Sequence, residues 1–158
     1  MNKHLISLSS LCLALLCGCS MPIHNTAIRP IYPKVGHGVK PEVTDSLSPT
    51  FLWRSENKEP CTYDFAIWDV GDSTQVVNAS YMEFRPYIYY REGLATPEHK
   101  LEIPLAPDTP YFWSVRIREG KKVSPWATHD AYVWGVVVVV HAKNYPYRFR
   151  TPPASPGK

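Results

Sequence analysis

Short runs of alternating apolar and polar residues follow one another along the chain after residue 40. In residues 62–70, Tyr63, Phe65 and Ile67 share one side of the run and Asp64 lies on the other, a period of two that is typical of a β-strand. We predict further strands at residues 51–53, 87–91, 99–105, 111–118, 131–140 and 145–150. About seven strands, separated by turn residues and without a helical repeat, predict an all-β antiparallel sandwich.

Two of these runs also predict which side chains face the core. In residues 99–105 we expect Leu101, Ile103 and Leu105 to point inward. In residues 111–118 the inward set is Tyr111, Trp113, Val115 and Ile117. Glycines that follow the runs predict turns at Gly71, Gly93 and Gly120.

A cationic start and an apolar segment open the chain. Lys3 precedes an apolar run over residues 5–16, and this layout is typical of a secretory signal peptide, which we expect to span residues 1–18. The run is shorter than the ~20 residues that a transmembrane helix requires. No membrane-spanning helix is therefore predicted.

The residues Leu16-Cys17-Gly18-Cys19 resemble the lipobox of bacterial lipoproteins. The resemblance implies cleavage before Cys19, a diacylglycerol on its thiol and a third acyl chain on its new amine. Several acyl chains hold a protein to a bilayer far more firmly than one does. Ser20, where inner-membrane lipoproteins carry Asp, implies sorting to the outer membrane. The alternative is an ordinary cleaved signal peptide with incidental cysteines.

Composition divides the rest of the chain into a predicted tether, a domain and a tail. Residues 19–38 contain several Pro and Gly and have no apolar period, so we predict a lipid-anchored flexible tether there. A single domain is expected at residues 39–151 and a disordered tail at residues 152–158. Hydrophobic residues make up 44% of the chain and charged residues 20%, close to globular averages. A net charge of +3 is too mild for a nucleic-acid-binding protein, so no such partner is expected.

Two segments resemble the fibronectin type III family. Residues 49–53 are similar to its second strand, in which a tryptophan such as Trp53 fills the space between the sheets. Residues 105–111 resemble its Leu-x-Pro-x-Thr-x-Tyr signature. The resemblance implies that Leu105 plugs a loop and that Tyr111 forms the corner that pins this loop.

The resemblance extends to the end of the predicted domain. Residues 149–151 resemble the closing Phe-x-Thr of the family, so that the similarity covers residues 39–151. It implies an immunoglobulin/fibronectin type III-like sandwich. Two connections, residues 71–85 and 120–145, are longer than those of the family.

Catalytic and metal-binding patterns are not evident in the sequence. The histidines are scattered, without metal-ligand spacing, and neither a Gly-x-Ser-x-Gly elbow nor a phosphate loop occurs. We therefore expect no cofactor, no metal and no enzymatic activity. Cys61 would be the remaining unmodified thiol of the mature chain, and a quiet, partly buried thiol is favoured over a reactive one.

Arginines of two predicted strands form the first candidate binding surface. The four residues are Arg116, Arg118, Arg148 and Arg150. If the two strands pair, the guanidiniums share one face and could bind carboxylates or phosphates. The alternative is a solvated face on which arginines pair with Asp64 or lie over Trp68.

Aromatic residues form the second candidate surface, with Trp68 and Trp134 as its candidate binding residues. Two connections are crowded with Tyr81, Phe84, Tyr87, Tyr89 and Tyr90, and with Tyr132, Val133, Trp134 and residues 136–140. A strand buries only one of its sides on one core, so the rest must be covered by a loop, a partner or sugar rings. An exposed coplanar row would favour a sugar ligand, and burial would favour a protein partner at a sheet edge.

These observations predict a membrane-anchored lipoprotein with a non-catalytic fibronectin type III-like module that mediates protein–protein or envelope interactions. The alternative is a carbohydrate-binding or substrate-presenting cell-envelope lipoprotein. The expected partners are a bilayer, through acylated Cys19, and a protein or an envelope polysaccharide.

Overall fold

The computed structural model describes residues 28–35, 41–57, 60–71, 85–134 and 139–154, and for residues 131–134 and 139–143 it describes the backbone alone. The predicted signal peptide and Cys19 lie outside these residues. Within them the chain is all-β, as predicted, and contains no α-helix.

The described part of the chain contains eleven strands. They are β1 (Ile28–Tyr32), β2 (Glu42–Val43), β3 (Thr50–Ser55), β4 (Thr62–Asp69), β5 (Tyr89–Leu94), β6 (Glu98–Lys100), β7 (Pro110–Glu119), β8 (Lys122–Val123), β9 (His129–Trp134), β10 (Val139–Tyr145) and β11 (Tyr147–Arg150).

Two sheets pack face to face as a sandwich. The smaller sheet has the order β1-β3-β6, and the larger has the order β2-β11-β7-β4-β5, with β8 paired to β7. Their described strand pairs are antiparallel except for β2 and β11, which run parallel. Strands β9 and β10 pair with each other in a third, two-stranded sheet.

Aromatic side chains from both sheets fill the core. The ring of Phe51 on β3 lies 4.8 Å from Phe65 on β4, 4.9 Å from Trp113 on β7 and 5.2 Å from Phe149 on β11. Trp53 stacks on Phe65 at 6.2 Å and is 2% exposed, so the prediction that it fills the core is confirmed. Each such side chain contributes about 1.5–3 kcal/mol through burial.

Strands β4 and β7 are buried on both faces. Tyr63, Phe65 and Ile67 face the core, as predicted, and so does the inward set predicted for β7. The opposite side of β4 carries Asp64 and Trp68, which are also buried because other parts of the chain cover the outer face of the larger sheet. Because both faces of β4 are covered, the carboxylate of Asp64 lies in the interior.

The strand predicted at residues 99–105 is wrong over most of its length. Strand β6 ends at Lys100, and Ile103 is 47% exposed, although Leu101 and Leu105 are buried as predicted. The following segment leaves the sheet and is held by single hydrogen bonds from its amides, such as Leu105 N–H to the carbonyl of Leu47. Pro104 has no N–H to donate to a strand ladder.

The strand predicted at residues 87–91 begins and ends later than expected. Strand β5 starts at Tyr89 and continues through Gly93, the predicted turn, to Leu94. Gly93 has a φ of 72° and lies where the pairing between β4 and β5 shifts register. The glycine therefore forms a bulge within the strand, because it adopts positive φ without steric cost.

The apolar run at residues 131–140 is not a single strand. It is divided between β9 and β10, which form an antiparallel ribbon with Val133 opposite Val140, while residues 135–138 lie outside the described residues. The run predicted at residues 145–150 is divided too, because Tyr145 ends β10. Asn144, with a φ of 57°, marks the irregular end of the ribbon.

Strand β1 lies within residues 19–38, the segment predicted as a tether. It pairs with β3, with Ile28 opposite Ser55, and the side chain of Ile28 is buried in the core. The sheet therefore includes residues on the N-terminal side of position 39. At the other end, the carbonyl of Pro152 accepts a hydrogen bond from Asp108, and residues 155–158 lie outside the described residues.

Candidate functional site

The four predicted arginines lie on the larger sheet but in separate places. Strand β11 pairs only with the first part of β7, where Arg148 lies opposite Phe112 and Arg150 opposite Pro110. Arg116 is four residues beyond Phe112, a distance of roughly 13 Å along a strand. The register therefore separates the arginines of β7 from those of β11 instead of forming one basic patch.

Arg148 and Arg150 have separate local contacts. The guanidinium of Arg150 binds Asp108 at 2.8 Å in an exposed ion pair. The guanidinium carbon of Arg148 lies 6.0 Å from the ring centre of Phe112, a long cation–π distance. These contacts do not bring the guanidiniums of Arg148 and Arg150 together into one binding site.

Arg116 and Arg118 converge on Asp64, which is fully buried. Arg118 donates from Nε to Asp64 Oδ1 at 2.7 Å and from Nη2 to Oδ2 at 2.8 Å, a bidentate pair. Arg116 donates from Nε to Oδ2 at 2.8 Å. The predicted alternative, in which arginines pair with Asp64, is thus what the structure shows for these two.

Two more donors complete the surroundings of the carboxylate. The hydroxyl of Tyr90 donates to Asp64 Oδ2 at 3.1 Å, and the backbone N–H of Gly93, at the bulge in β5, lies 3.4 Å from Oδ1. The exposed carboxylate of Glu92 also accepts from Arg118 at 2.9 Å. Two carboxylates therefore balance the two guanidiniums.

The hydrogen bonds determine the protonation of this group. Burial raises the pKa of Asp64, but the hydrogen bonds from Arg118, Arg116 and Tyr90 lower it by more, so that this pKa lies below its ordinary value. The hydrogen bonds to Asp64 raise the pKa of Arg118 above its usual range. The carboxylate and both guanidiniums stay charged at neutral pH, which suits an ion-pair network and not an acid or base.

An aromatic cluster covers the same face of the sheet. The guanidinium of Arg116 lies 4.5 Å from the ring centre of Trp126, and Trp126 meets Trp68 edge to face at 5.1 Å. Trp126 and Trp68 are 4% and 0% exposed. The backbone places Trp126 there, because Ala127 N–H donates to the carbonyl of Val115 at 2.8 Å and holds the segment along β7.

The accessible part of this cluster is beside the edge of the sheet. Tyr87 stacks on Tyr90 at 5.0 Å and is 41% exposed, and Ile88 is exposed to the same extent. Both precede β5, which is the last described strand at this edge of the larger sheet. The side chain of Trp134, and residues 72–84 with Tyr81 and Phe84, lie outside what the structure describes.

Cys61 is half-buried and borders a shallow surface pocket with Arg118 and Glu119. The described residues contain no cluster of His, Cys, Asp and Glu that could hold a metal ion. None of the described segments is a helix with the length and apolarity needed to cross a bilayer.

The sequence pattern pointed to arginines pairing with Asp64 and to Tyr90 among the crowded aromatic residues, but not to the contacts of Tyr90 and Trp126 with this ion-pair network. Tyr90 and Trp126 reach the site through packing between distant segments, and nothing in their local sequence distinguishes them from the other aromatic residues of the chain. No protein-family model matches the chain, and no curated protein matches it.

Proposed function

We propose that this chain is a lipoprotein, anchored through acylated Cys19, whose fibronectin type III-like module binds a protein partner at the β5 edge of its larger sheet. The observation that carries the binding assignment is the burial of Trp68 and Trp126. With these rings inside the fold, and Asp64 and Glu92 neutralising the two arginines, the accessible apolar surface on this side lies next to the edge of β5, which has no strand partner among the described residues.

Several contacts support the fibronectin type III-like assignment. Leu105 is buried, and the Tyr111 hydroxyl accepts a hydrogen bond from the N–H of Ala106 at 3.1 Å, as a tyrosine corner requires. Thr151, in the closing motif, is buried and donates to the carbonyl of Ala106 at 2.7 Å. These bonds join the signature loop to the end of the last strand.

The β5 edge has the chemistry of a peptide-binding surface. An edge strand offers backbone N–H and C=O groups with which an extended segment can pair, and neighbouring side chains select that segment. Tyr87 and Ile88 provide an aromatic ring and an aliphatic side chain beside this edge, each 41% exposed. Tyrosine in particular contributes strongly to protein interfaces.

A comparison of two matched variants tests this surface. Ile88→Asp places a charge beside β5, whereas Ile103→Asp places one at a similarly exposed site that follows β6 in the smaller sheet. Partners are crosslinked in intact envelopes and recovered with each variant. We expect Ile88→Asp to lose a protein that the wild type and Ile103→Asp both recover. Equal recovery with both variants would contradict a site at this edge.

A carbohydrate ligand is the second candidate, and the stacked, partly exposed ring of Tyr87 favours it. Sugar rings pack on exposed aromatic faces. Tyr87→Ala would then abolish retention of the protein on envelope polysaccharide, while Ile88→Asp would reduce it less. Retention of both variants equal to that of the wild type would exclude this candidate.

The anchor is tested separately. Cys19→Ser removes the acylated thiol, and we expect the variant to leave the membrane fraction. Cys61→Ser is the matched control, because it replaces a thiol within the domain and should stay membrane-bound. Persistence of Cys19→Ser in membranes after high-salt and carbonate washes would contradict the anchor.

A further inference from the structure

Four polar side chains join the two sheets where β5 packs beside β6. Tyr89, the first residue of β5 in the larger sheet, places its hydroxyl 2.7 Å from Nε2 of His99 on β6 in the smaller sheet. Arg91 on β5 forms an ion pair with Glu102, which follows β6. We refer to these two contacts as the clasp, because both attach β5 to the smaller sheet.

The imidazole of His99 is half-buried between aromatic rings. Its ring centre lies 5.3 Å from that of Phe65 on β4 and 5.5 Å from that of Tyr89. Phe65 is fully buried and Tyr89 is 8% exposed, so these contacts withdraw part of the imidazole from water. A charged imidazole loses more hydration there than a neutral one does.

Burial lowers the pKa of His99 below its ordinary value, and the charges around the ring offset each other. Glu102 favours the charged imidazole and Arg91 disfavours it, and these two groups are bound to each other. On β3, the residue opposite His99 is the uncharged Phe51. The hydrogen bond from Arg91 lowers the pKa of Glu102, so the group of the clasp that titrates between pH 7.5 and 5.5 is His99.

The hydrogen bond to Tyr89 does not by itself select the neutral ring. A neutral imidazole accepts or donates at Nε2 according to its tautomer, and a charged one can donate to the same hydroxyl. Burial selects the neutral form, because the charged ring regains its hydration only by moving away from Phe65 and Tyr89 into water. That movement breaks the contact between the first residue of β5 and the smaller sheet.

Strand β5 is the element that this movement would release. Its pairing with β4 shifts register between Tyr63 and Phe65, beside the bulge at Gly93. In contrast, β4 pairs with β7 without a shift from Thr62 to Asp69. Local opening starts where backbone pairing and packing are weakest. We therefore expect β5 to open more readily than β4 and β7.

We propose that the clasp is a pH-sensitive device, which holds β5 on the smaller sheet at neutral pH and releases it when His99 takes a proton from water. One proton taken up on opening raises the opening constant by at most about tenfold per pH unit. The rise begins near pH 6.5, the ordinary pKa of histidine, and ends at the pKa of His99 in the closed form. Release would also withdraw the partner-binding edge in acid, a step that rests on the proposed function.

Hydrogen exchange of the purified full chain tests the clasp. Opening constants of β5 and β7 are obtained at pH 7.5 and 5.5, after correction for the intrinsic exchange rate of the amides at each pH. We expect β5 to have the larger opening constant at both pH values and to show a severalfold rise at pH 5.5. Equal opening constants for the two strands at pH 5.5 would show global unfolding in place of local release. That result, or a β5 constant that does not rise, would refute the proposal.

Matched variants assign the effect to His99. His99→Gln keeps a neutral side chain that can bond the Tyr89 hydroxyl, and it should remove the rise of the β5 opening constant in acid. His129→Gln makes the same change at a half-buried histidine on β9 and should retain the rise. Tyr89→Phe removes the hydroxyl and should raise the β5 opening constant roughly fivefold at pH 7.5, as for a typical hydrogen bond. A rise that persists in His99→Gln, or a β5 unaffected by Tyr89→Phe, would overturn the clasp.

Partner recovery separates the clasp from the proposed binding site. In envelopes crosslinked at pH 5.5, the wild type should recover less of the Ile88-dependent protein than at pH 7.5, and His99→Gln should recover equal amounts at both. Equal recovery by the wild type at both pH values would refute control of the edge by the clasp. If Ile88→Asp recovers as much as Ile103→Asp, the binding site fails, whereas a β5 opening constant that depends on His99 still supports the clasp.

Discussion

Replacing Asp64 by Asn should destabilise the domain more than any exposed charge change. The substitution preserves shape but removes the charge that accepts hydrogen bonds from Arg118 at 2.7 and 2.8 Å and from Arg116 at 2.8 Å. It also turns an N–H₂ donor toward groups that are themselves donors. One oxygen then remains for donors that had two, and the two guanidiniums lose the negative charge that they share.

The expected magnitude follows from the burial of the three partners. Removing one member of a buried ion pair costs about 3–5 kcal/mol. Asp64 is fully buried, but the side chains of Arg116 and Arg118 are 20% and 23% exposed and can be partly rehydrated. We therefore expect a loss near the lower end, about 3 kcal/mol, or roughly 10 °C in Tm for a domain of this size.

The assay is urea unfolding of the purified protein, followed by tryptophan fluorescence. Asp108→Asn is the matched control, because it breaks an exposed ion pair with Arg150 and should change stability little. Equal unfolding free energies for the Asp64 and Asp108 variants would contradict a stabilising role for the buried ion pairs. They would show that the buried network contributes no more than a surface contact.

The same ion-pair network predicts that the domain loses stability at acid pH. The pKa of Asp64 in the folded protein lies below its unfolded value, as a result of the balance between burial and the three hydrogen bonds. The stabilisation that charged Asp64 contributes to the free energy of unfolding is therefore complete above about pH 4. It is lost as the pH falls through the pKa of Asp64 in the folded protein. The Asp64→Asn variant should lack this part of the acid-induced loss.

Three further predictions concern the sandwich. Trp53→Ala should cost about 3–5 kcal/mol in unfolding free energy, because it empties a core site; an unchanged Tm would contradict its interior position. Tyr111→Phe should cost about 1 kcal/mol by leaving the Ala106 N–H without its acceptor, and urea unfolding equal to wild type would count against the tyrosine corner. Burial lowers the pKa of His99, whose Nε2 lies 2.7 Å from the Tyr89 hydroxyl, so stability should fall as the pH drops below about 6.5. His99→Gln should reduce this loss of stability at low pH. The same pH dependence of unfolding in wild type and variant would contradict the role of His99.

Periodicity predicted the parts of the fold in which local pattern and tertiary environment agree. Residues on the core side of β4 and β7 alternate with a period of two, and both strands were located within one residue at each end. The same rule placed Ile103 inward, but β6 ends at Lys100 and the following residues no longer alternate across a sheet. A pattern of apolar residues does not show where a ladder of hydrogen bonds stops.

Burial on the outer face was harder to predict, because it depends on contacts between distant segments. Asp64 is surrounded by arginines 52 and 54 residues away in the chain, and Trp126 reaches Trp68 only because residues 124–127 run along β7. Strand β1 was missed for a related reason. It contains Pro30 and alternates weakly, and its pairing with β3 is what makes it a strand.

Mass spectrometry of the mature N-terminus shows whether the protein is anchored to the membrane through acylated Cys19. The protein is extracted from membranes and its N-terminal peptide is analysed. We predict that the chain begins at Cys19, with a diacylglycerol on the thiol and an acyl chain on the amine. A mature chain that begins at another residue, or an unmodified Cys19, would contradict it.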